Sequence, residues 1–344
     1  MQIERLSPGD DAAVRACAEV SLAVLAADDP AGPPVSARVA RCWYEYPWEP
    51  GQTWFVPGEI PGSAVAVYQL RLPQLEDRSR AGLSIDVHPA FRRRGIGGSL
   101  LQHAAQQAAE DGRSVLGGEV FLGSPGEAFA ARLGATPGLA DARRVLVLGQ
   151  LPAGLVASLR GGAARAAAGY TLISWAGRTP EDYLADFAGV FNALNDGPRE
   201  AGREDRVWDA RRVRDRIDDQ TERYGLRTYC VAAVHEATGE MAAVSRVTVD
   251  PEIPHWGRQL ITAVTRQHRG HRLGLLVKAT MLDRLTAAEP AMTHMVTWNA
   301  AANKHMIAIN EALGYELADP QAQHYEFSVA DVLDASAQRL GAVG

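Results

Sequence analysis

Residues 83–104 read LSIDVHPAFRRRGIGGSLLQHA. Apolar and polar residues alternate up to Val87, which is typical of a half-buried strand. A turn rich in Arg and Gly follows, and from Ile96 onward the apolar spacing becomes helical. The stretch therefore predicts a strand that runs through a short turn into a helix.

The same order of features returns at residues 260–281, LITAVTRQHRGHRLGLLVKATM. Three pairs of residues are each separated by 177 positions: Val87 and Val264, Arg92 and Arg269, and Gly97 and Gly274. Further along, Leu133-Gly134 and Leu313-Gly314 are separated by 180 positions. Nearly constant offsets over such a distance indicate a repeat of a whole structural unit. The sequence therefore predicts two copies of one fold.

The stretch 151–169 is rich in Ala and Gly and is typical of a connector with some helix. We therefore expect a first domain at 1–150, a linker at 151–169 and a second domain at 170–344. Strands are predicted in the second domain at 170–175, 228–235, 240–249, 259–265, 293–298 and near 323–329. Helices are predicted there at 180–194, around 206–222, at 272–288 and at 302–312. This order of elements favours the α+β class.

Composition limits the function classes. Of the 344 residues, 47% are hydrophobic and 22% charged, which is typical of globular domains and allows two cores. The net charge of −6 and the absence of an isolated basic tract argue against a nucleic-acid partner. No apolar run reaches the length of a spanning helix, and residues 1–10 are polar, so we expect a cytoplasmic protein without membrane attachment. Cys17, Cys42 and Cys230 lack the spacing of a disulfide framework or a zinc site, so we expect buried thiols and no metal.

The predicted turns suit an anion. A helix that begins directly after a tight turn presents its first N–H groups together, and the helix dipole adds positive charge there. Gly95, Gly97 and Gly98 would let a pyrophosphate approach the backbone. Neither turn has the ending of a Walker A loop or the Rossmann glycine spacing, which argues against nucleotide hydrolysis and hydride transfer. The alternative is an ordinary capped helix start in which the glycines serve only the turn.

The first copy resembles a known family. Val87, Pro89, Arg92, Gly95 and Gly97 fit the acetyl-CoA signature V-x-P-x-x-Q/R-x-x-G-x-G/A of the GNAT acetyltransferase superfamily. In the second copy Arg266 replaces the proline and Arg272 replaces the first glycine. That copy, with RGHRLG followed by Trp298-Asn299, Asn303 and Leu313-Gly314-Tyr315, resembles the C-terminal halves of tandem GNAT proteins, the group that contains mycothiol synthase. The resemblance implies two tandem GNAT-type domains, each with a mixed, mostly antiparallel sheet flanked by helices.

The resemblance also implies acetyl-CoA as the acyl donor. The strands that end at Val87 and Val264 would separate from their neighbours and offer backbone groups to the pantetheine arm, and the turns would hold the pyrophosphate. The implied binding residues of the first domain are Val87, Arg92, Arg93, Arg94, Gly95, Ile96, Gly97 and Gly98. Those of the second domain are Val264, Thr265, Arg269, Gly270, His271, Arg272, Leu273, Gly274, Asn299 and Asn303. Asn299 and Asn303 have the alternative role of capping helix 302–312.

The family's usual acid and base are missing. The tyrosine that protonates the leaving thiolate would stand at Ala130 or Asn310, and the common base position holds Ala81 or Arg258. Thr262, His255 and Tyr325 are the substitutes we name as catalytic candidates. Weaker candidates near the expected acceptor side are Glu252, His324, Glu326, Asp196 and Glu200. Either an acceptor pocket or packing in the core or at a domain interface would account for a group of aromatic residues, Trp43, Tyr44, Tyr46, Trp48 and Trp54.

Two function classes follow from the resemblance. The first is an acetyl-CoA-dependent N-acetyltransferase that acts on the amine of a small molecule by direct transfer, with the C-terminal domain favoured as catalytic. The second is a non-catalytic tandem GNAT protein that binds or senses acyl-CoA, which the missing Tyr and Glu favour. A third possibility exchanges the roles of the domains, because the better glycine turn is in the first copy. The chain is expected to be a monomer or a homodimer.

Overall fold

The computed structural model describes residues 1–341, with side chains up to Ala335. Residues 342–344, which the predicted second domain includes, lie outside the described residues. The internal contacts of the chain divide it into two compact units. Unit 1 contains residues 1–140, 202–204 and the chain from Pro320 onward, and unit 2 contains residues 141–201 and 205–319. The domain bounds at 150 and 170 stay a prediction.

The elements of unit 1 begin at the N-terminus. They are β1 (Glu4–Arg5), α1 (Asp11–Asp28), α2 (Ala37–Glu45), β2 (Gly51–Pro57), β3 (Ala64–Arg71), β4 (Arg80–Val87), α3 (Ile96–Glu110), β5 (Val115–Phe121) and α4 (Pro125–Arg132). Strand β6 (Thr136–Val147) follows, and its residues from 141 onward belong to unit 2.

Unit 2 continues with α5 (Leu155–Ala166), β7 (Tyr170–Ala176), α6 (Leu184–Asn192), α7 (Ala210–Val213), α8 (Asp219–Arg223), β8 (Arg227–His235), β9 (Met241–Val249), β10 (Trp256–Val264), α9 (Leu273–Ala288), β11 (His294–Ala300), α10 (Lys304–Ala312) and β12 (Glu316–Leu317). The predicted helix around 206–222 is interrupted by a π-helical stretch, Arg214–Asp218, between α7 and α8. The last elements, β13 (Ala322–Ser328) and α11 (Val329–Gly341), return to unit 1.

Each unit has a mixed sheet in which one pair of strands is parallel. In unit 1 the order is β1-β2-β3-β4-β5-β13, and only β4 and β5 are parallel. In unit 2 the order is β7-β8-β9-β10-β11-β6, and only β10 and β11 are parallel. The strand predicted near 323–329 thus completes the sheet of unit 1, and residues 141–147 complete that of unit 2. Each sheet receives its last strand from the opposite half of the sequence.

Helices cover both faces of each sheet. In unit 1, α3 packs on the apolar side of β3 and β4, where Leu70, Leu83 and Leu116 are buried. Helices α1 and α2 form a second cluster on the other face, around Val14, Tyr44 and Val67. In unit 2 the corresponding clusters lie around α9 and α6. Among the described residues, no helix combines the length and the apolar composition that crossing a bilayer requires.

The three cysteines are free and buried, as the sequence indicated. Burial raises the pKa of both Cys17 and Cys230 to about 12, because the thiolate is poorly solvated in an apolar core. These two thiols therefore stay protonated at neutral pH and act as small apolar side chains.

Candidate active site

A gap opens between the two parallel strands of each unit. In unit 1, β4 pairs with β5 only from Arg80 to Gly82, although β4 continues to Val87. In unit 2, β10 pairs with β11 only from Trp256 to Arg258, although β10 continues to Val264. Beyond these pairs the backbone groups that face the gap lack a strand partner in the described part of the chain. Such an edge can hydrogen-bond an extended chain that carries amides.

A β-bulge distinguishes the two copies. The register of β10 against β9 shifts between Gln259 and Ile261, whereas β4 pairs with β3 without a shift. The bulge inserts one residue into β10 just past the last parallel pair. The offset between the copies is accordingly 176 at Gly82 and Arg258 and 177 at Val87 and Val264.

The two turns have the same backbone conformation. In the first, φ is +64° at Arg93 and +82° at Gly95; in the second, φ is +91° at Gly270 and +57° at Arg272. These positions are 177 residues apart, and Gly and Arg have exchanged places between them. The second copy therefore keeps the turn despite its departure from the signature. It places an arginine in the left-handed region, which glycine adopts at lower cost.

Among the described residues no side chain caps the start of α3 or α9. The neighbouring helices differ, because Ser124 Oγ accepts from the N–H groups of Gly126 and Glu127 at the start of α4, and Asn303 Oδ1 accepts from the Met306 N–H in α10. The first N–H groups of α3 and α9 therefore stay available to an anion. The alternative of a capped helix start does not describe either turn, whereas Asn303 does have the capping role.

A pocket of about 700 Å³ lies beside the turn of unit 1. Gly95 to Gly98 line one side, Phe129 of α4 and Phe327 of β13 line the apolar wall, and Ile85 and Val87 of β4 border the gap. Gly98 faces open space, since a Cβ there would have no atom of the described residues within 4 Å. The pocket has the volume of a small-molecule site, and its anion-binding turn suits a phosphate-bearing ligand.

The first arginine of each turn donates hydrogen bonds to a carboxylate and to a backbone carbonyl of its own unit. Arg92 forms two hydrogen bonds with the carboxylate of Asp28 at the end of α1, at 2.7 and 2.9 Å, and its Nε donates to Val87 O. Arg269 likewise donates to Asp196 at 2.7 Å and to Val264 O. Each arginine thus ties the end of a strand and the turn to a preceding helix. In unit 1 the tie is largely buried, with 21% and 13% of the two side chains exposed.

Comparison with known proteins agrees with this geometry. Residues 23–134 match the family model described as "Acetyltransferase (GNAT) family". A solved tandem GNAT protein from the clavulanic acid biosynthesis pathway is 28% identical, with a TM-score of 0.75 over 95% of this chain and 98% of that one. A GCN5-related N-acetyltransferase from Sphaerobacter thermophilus is 16% identical, with a TM-score of 0.65 over 95% of both chains, and shows the fold alone. No curated protein sequence matches the chain.

The chain has a tandem GNAT architecture. The predicted α+β class and the repeated fold are thereby confirmed. The likeness to GNAT acetyltransferases supports acyl transfer as the general type of reaction. The described residues contain no group of three His, Cys, Asp or Glu side chains placed to share a metal ion.

The three catalytic candidates from the sequence do not form one cluster. Thr262 lies on β10, and its hydroxyl is buried without a hydrogen-bond partner among the described residues. His255 is exposed just before the same strand. Tyr325 lies on β13, opposite Gly118 of β5, and so belongs to the GNAT sheet of unit 1 rather than to the second domain. His324 and Glu326 lie on the same strand and therefore also belong to unit 1.

In unit 2, Asn299 Oδ1 accepts a hydrogen bond of 2.7 Å from Asn310 Nδ2. Asn310, which stands at the position of the usual GNAT tyrosine, is fully buried. Lys278 is buried in the same unit, with its ammonium 5.0 Å from the ring centre of Tyr315. Burial lowers the pKa of Lys278 to about 7. The position in the first copy that corresponds to Lys278, 177 residues earlier, holds Leu101, which lines the pocket of unit 1.

Sequence reasoning missed a polar surface on the sheet of unit 1. Gly82 of β4 and Gly117 of β5 are the last parallel pair before the gap, and together they form what we call the glycine hollow. Arg71 lies over Gly82, where a Cβ would stand 2.7 Å from Arg71 Nε, and His324 lies over Gly117, where a Cβ would stand 2.9 Å from His324 Nε2. In unit 2 the last parallel pair is Arg258 and Val296, so neither strand has a glycine at this position.

A buried trio lies further along the same face. Asp86 accepts a hydrogen bond from Ser21 Oγ, which lies 2.6 Å from the hydroxyl of Tyr44. Burial raises the pKa of Asp86 and of Tyr44. The sequence singled out Tyr44 as a residue of a pocket or of packing, but its contact with Ser21 and the hydrogen bond from Ser21 to Asp86 were not predictable.

Proposed function

We propose that the chain is an acetyl-CoA-dependent N-acetyltransferase that acts on the amine of a small molecule, and that transfer takes place in unit 1. The observation that carries the proposal is that the gap in unit 1 has the pocket on one face of the sheet and a row of polar side chains on the other. Ile85 and Val87 face the pocket beside α3, whereas Gly82 and Ser84, which alternate with them along β4, face the glycine hollow. Donor and acceptor would thus meet at the gap from opposite faces of the sheet.

The donor side fits acetyl-CoA. The uncapped start of α3 would hold the pyrophosphate, with Gly98 leaving the approach clear. The unpaired edges of β4 and β5 would hydrogen-bond the pantetheine arm, and the tie between Arg92 and Asp28 keeps the turn in place. Acetyl-CoA supplies the thioester; the protein supplies orientation and backbone donors for the oxyanion.

The reaction is a direct transfer. The amine arrives as an ammonium ion and loses one proton, its nitrogen forms a bond to the acetyl carbon, and the bond from that carbon to sulfur breaks. A second proton leaves the nitrogen as the amide forms. Of the two protons, one ends on the CoA thiolate and one in solvent. Acetyl-CoA and the ammonium ion thereby become the acetamide, CoA and a proton.

The sequence favoured the C-terminal domain as catalytic, and that assignment stays a prediction. Its support is the separated β10 and β11 and the retained turn. Against it, Arg258 and Val296 replace the glycine pair of unit 1, and Ile261 and Ala263 of β10 belong to the apolar cluster around α6. This face of β10 is therefore more apolar than the face of β4 that carries Ser84 and Asp86.

Matched variants test the assignment. A Cβ at Gly97 would stand 3.2 Å from Phe129, and one at Gly274 would stand 3.2 Å from Ile309, so the two glycines are equally crowded. Thiol release from acetyl-CoA is measured with a panel of primary amines, and products are identified by mass spectrometry. We expect Gly97→Glu to lose turnover and Gly274→Glu to retain it.

The opposite pattern would move transfer to unit 2. Acetyl-CoA binding without thiol release for any amine would favour the second function class, a protein that binds or senses acyl-CoA. Folding of both variants is checked by circular dichroism, so that loss of turnover is not confused with unfolding.

A further inference from the structure

The face of the unit 1 sheet that carries the glycine hollow is lined with charged and polar side chains. Cross-strand partners share a face, so Arg71, Gly82, Gly117 and Glu326 lie in one row across β3, β4, β5 and β13. Glu119 and His324 are paired in a second row on that face, two residues along each strand. The opposite face carries Leu83, Leu116 and Phe327 and belongs to the apolar cluster around α3.

Arg71 is the cation of the first row. Its guanidinium forms no hydrogen bond or ion pair with any described residue. Glu49 and Glu119 act on it only at longer range, and both favour its charge. Burial lowers the pKa of Arg71, because its charged form is poorly solvated at this position. A guanidinium of this kind gains most from a ligand that brings a carboxylate to it.

On the β13 side of the hollow are groups that suit an amine. His324 Nε2 is buried without a hydrogen-bond partner among the described residues, and Glu326, 3.4 Å away, is already paired with Arg80. Glu119 is exposed on β5, which continues along the gap beyond Gly117. The side chain of Glu119 forms no hydrogen bond or ion pair with the described residues.

We propose that the glycine hollow binds a zwitterionic acceptor, an amino-acid-like amine whose carboxylate is held by Arg71 and whose ammonium group faces Glu119 and His324. The inference rests on the proposed function and names the substrate class for the same site. Gly82 and Gly117 matter because a side chain at either position would displace Arg71 or His324. In the reaction, His324 Nε2 accepts the first proton that the ammonium group loses and passes it to solvent.

The test compares acceptors that differ only in the carboxylate. The probes are glycine, L-alanine, L-glutamate, L-lysine and L-phenylalanine, each beside its α-carboxamide. The variants are Arg71→Gln, which removes the charge, and Arg71→Lys, which keeps it. Arg15→Gln is the control, because Arg15 lies on the exposed side of α1 and pairs with Asp11.

For the wild type we expect kcat/KM at least tenfold higher for the best amino acid than for its carboxamide. Arg71→Gln should reduce that preference to within threefold by raising the KM of the amino acid, while the KM for acetyl-CoA stays unchanged. Arg71→Lys should keep part of the preference, and Arg15→Gln all of it. Equal use of acid and amide by the wild type, or an unchanged preference in Arg71→Gln, would overturn the proposal.

The proposal and the proposed function can fail separately. If no amine is acetylated, the proposed function fails, and the hollow is judged by calorimetric titration of the same amino acids and of their N-acetyl derivatives. Binding that weakens at least tenfold in Arg71→Gln would still support the carboxylate subsite. Absence of binding to the wild type would overturn it. If carboxamides alone are acetylated, the function stands and the subsite is wrong.

Discussion

Replacing Gly98 with glutamate separates the effects on folding and on ligand binding. Gly98 lies in the first turn of α3 and lines the pocket, and a Cβ there meets no described atom within 4 Å. Glutamate has a helix propensity about 0.7 kcal/mol better than glycine, and an acid in the first turn gains about 0.5 kcal/mol from the helix dipole. We therefore expect Gly98→Glu to raise the free energy of unfolding of unit 1 by about 1 kcal/mol.

The same carboxylate would repel a pyrophosphate at the start of α3. Like charges placed together near a protein surface cost about 2 to 3 kcal/mol, which corresponds to a dissociation constant roughly 30 to 150 times higher. Calorimetric titration of acetyl-CoA measures the loss, and urea unfolding measures the gain. Gly98→Gln is the matched control, because it adds nearly the same volume and helix propensity without the charge.

A more stable variant that binds acetyl-CoA as tightly as the wild type would refute the assignment of the pyrophosphate to this turn. Equal weakening by Gly98→Glu and Gly98→Gln would show that bulk, rather than charge, blocks the pocket. Weakening confined to the glutamate variant is the expected result.

Three further predictions concern the turns and the buried lysine. Lys278→Met should stabilise unit 2 at pH 6 by on the order of 3 to 5 kcal/mol, because burial lowers the pKa of Lys278 from 10.5 to about 7. The charged lysine therefore destabilises the folded state fully below pH 7, and this destabilisation decreases as the pH rises toward 10.5. Urea unfolding at pH 6 and pH 9 should show a smaller rise in stability with pH in the variant, and an unchanged rise would contradict the burial of a charged lysine. Arg272→Gly should raise the stability of unit 2 by about 0.5 to 1 kcal/mol, because φ is positive there, and a lower melting temperature would contradict this. Asp28→Asn should destabilise unit 1 by about 2 kcal/mol, because it breaks the buried ion pair with Arg92. Asp196→Asn should lower the denaturant midpoint less, because the arginine partners of Asp196 are more exposed. Similar losses in both variants would count against burial as the cause.

The repeat and the strand, turn and helix at its centre were predictable from the sequence. Alternation up to Val87 and helical spacing from Ile96 are local patterns, and the structure has β4 and α3 at those positions. The sequence predicted a turn with glycine at position 95, and the structure shows that this residue adopts a left-handed conformation, with φ of +82°. The equivalent conformation at Arg272 was not predictable from residue type, because the turn in unit 2 is fixed by its surroundings.

The exchange of the last strands was not predictable. Residues 322–328 have the pattern of a strand, but nothing local tells that their hydrogen-bonding partner is β5, about 200 positions earlier. The position of His324 beside Gly117 depends on that pairing, and so does the glycine hollow. Arg71 was missed for a similar reason: its significance comes from Gly82 on the neighbouring strand and from the lack of an ion-pair partner among the described residues, which only the folded chain displays.

Hydrogen exchange with and without acetyl-CoA, followed by mass spectrometry of peptides, tests the central claim most directly. If unit 1 binds the donor, acetyl-CoA should slow exchange in peptides that cover residues 85–102, with little change in peptides that cover 262–278. Protection confined to 262–278 would contradict the account and place the donor in unit 2.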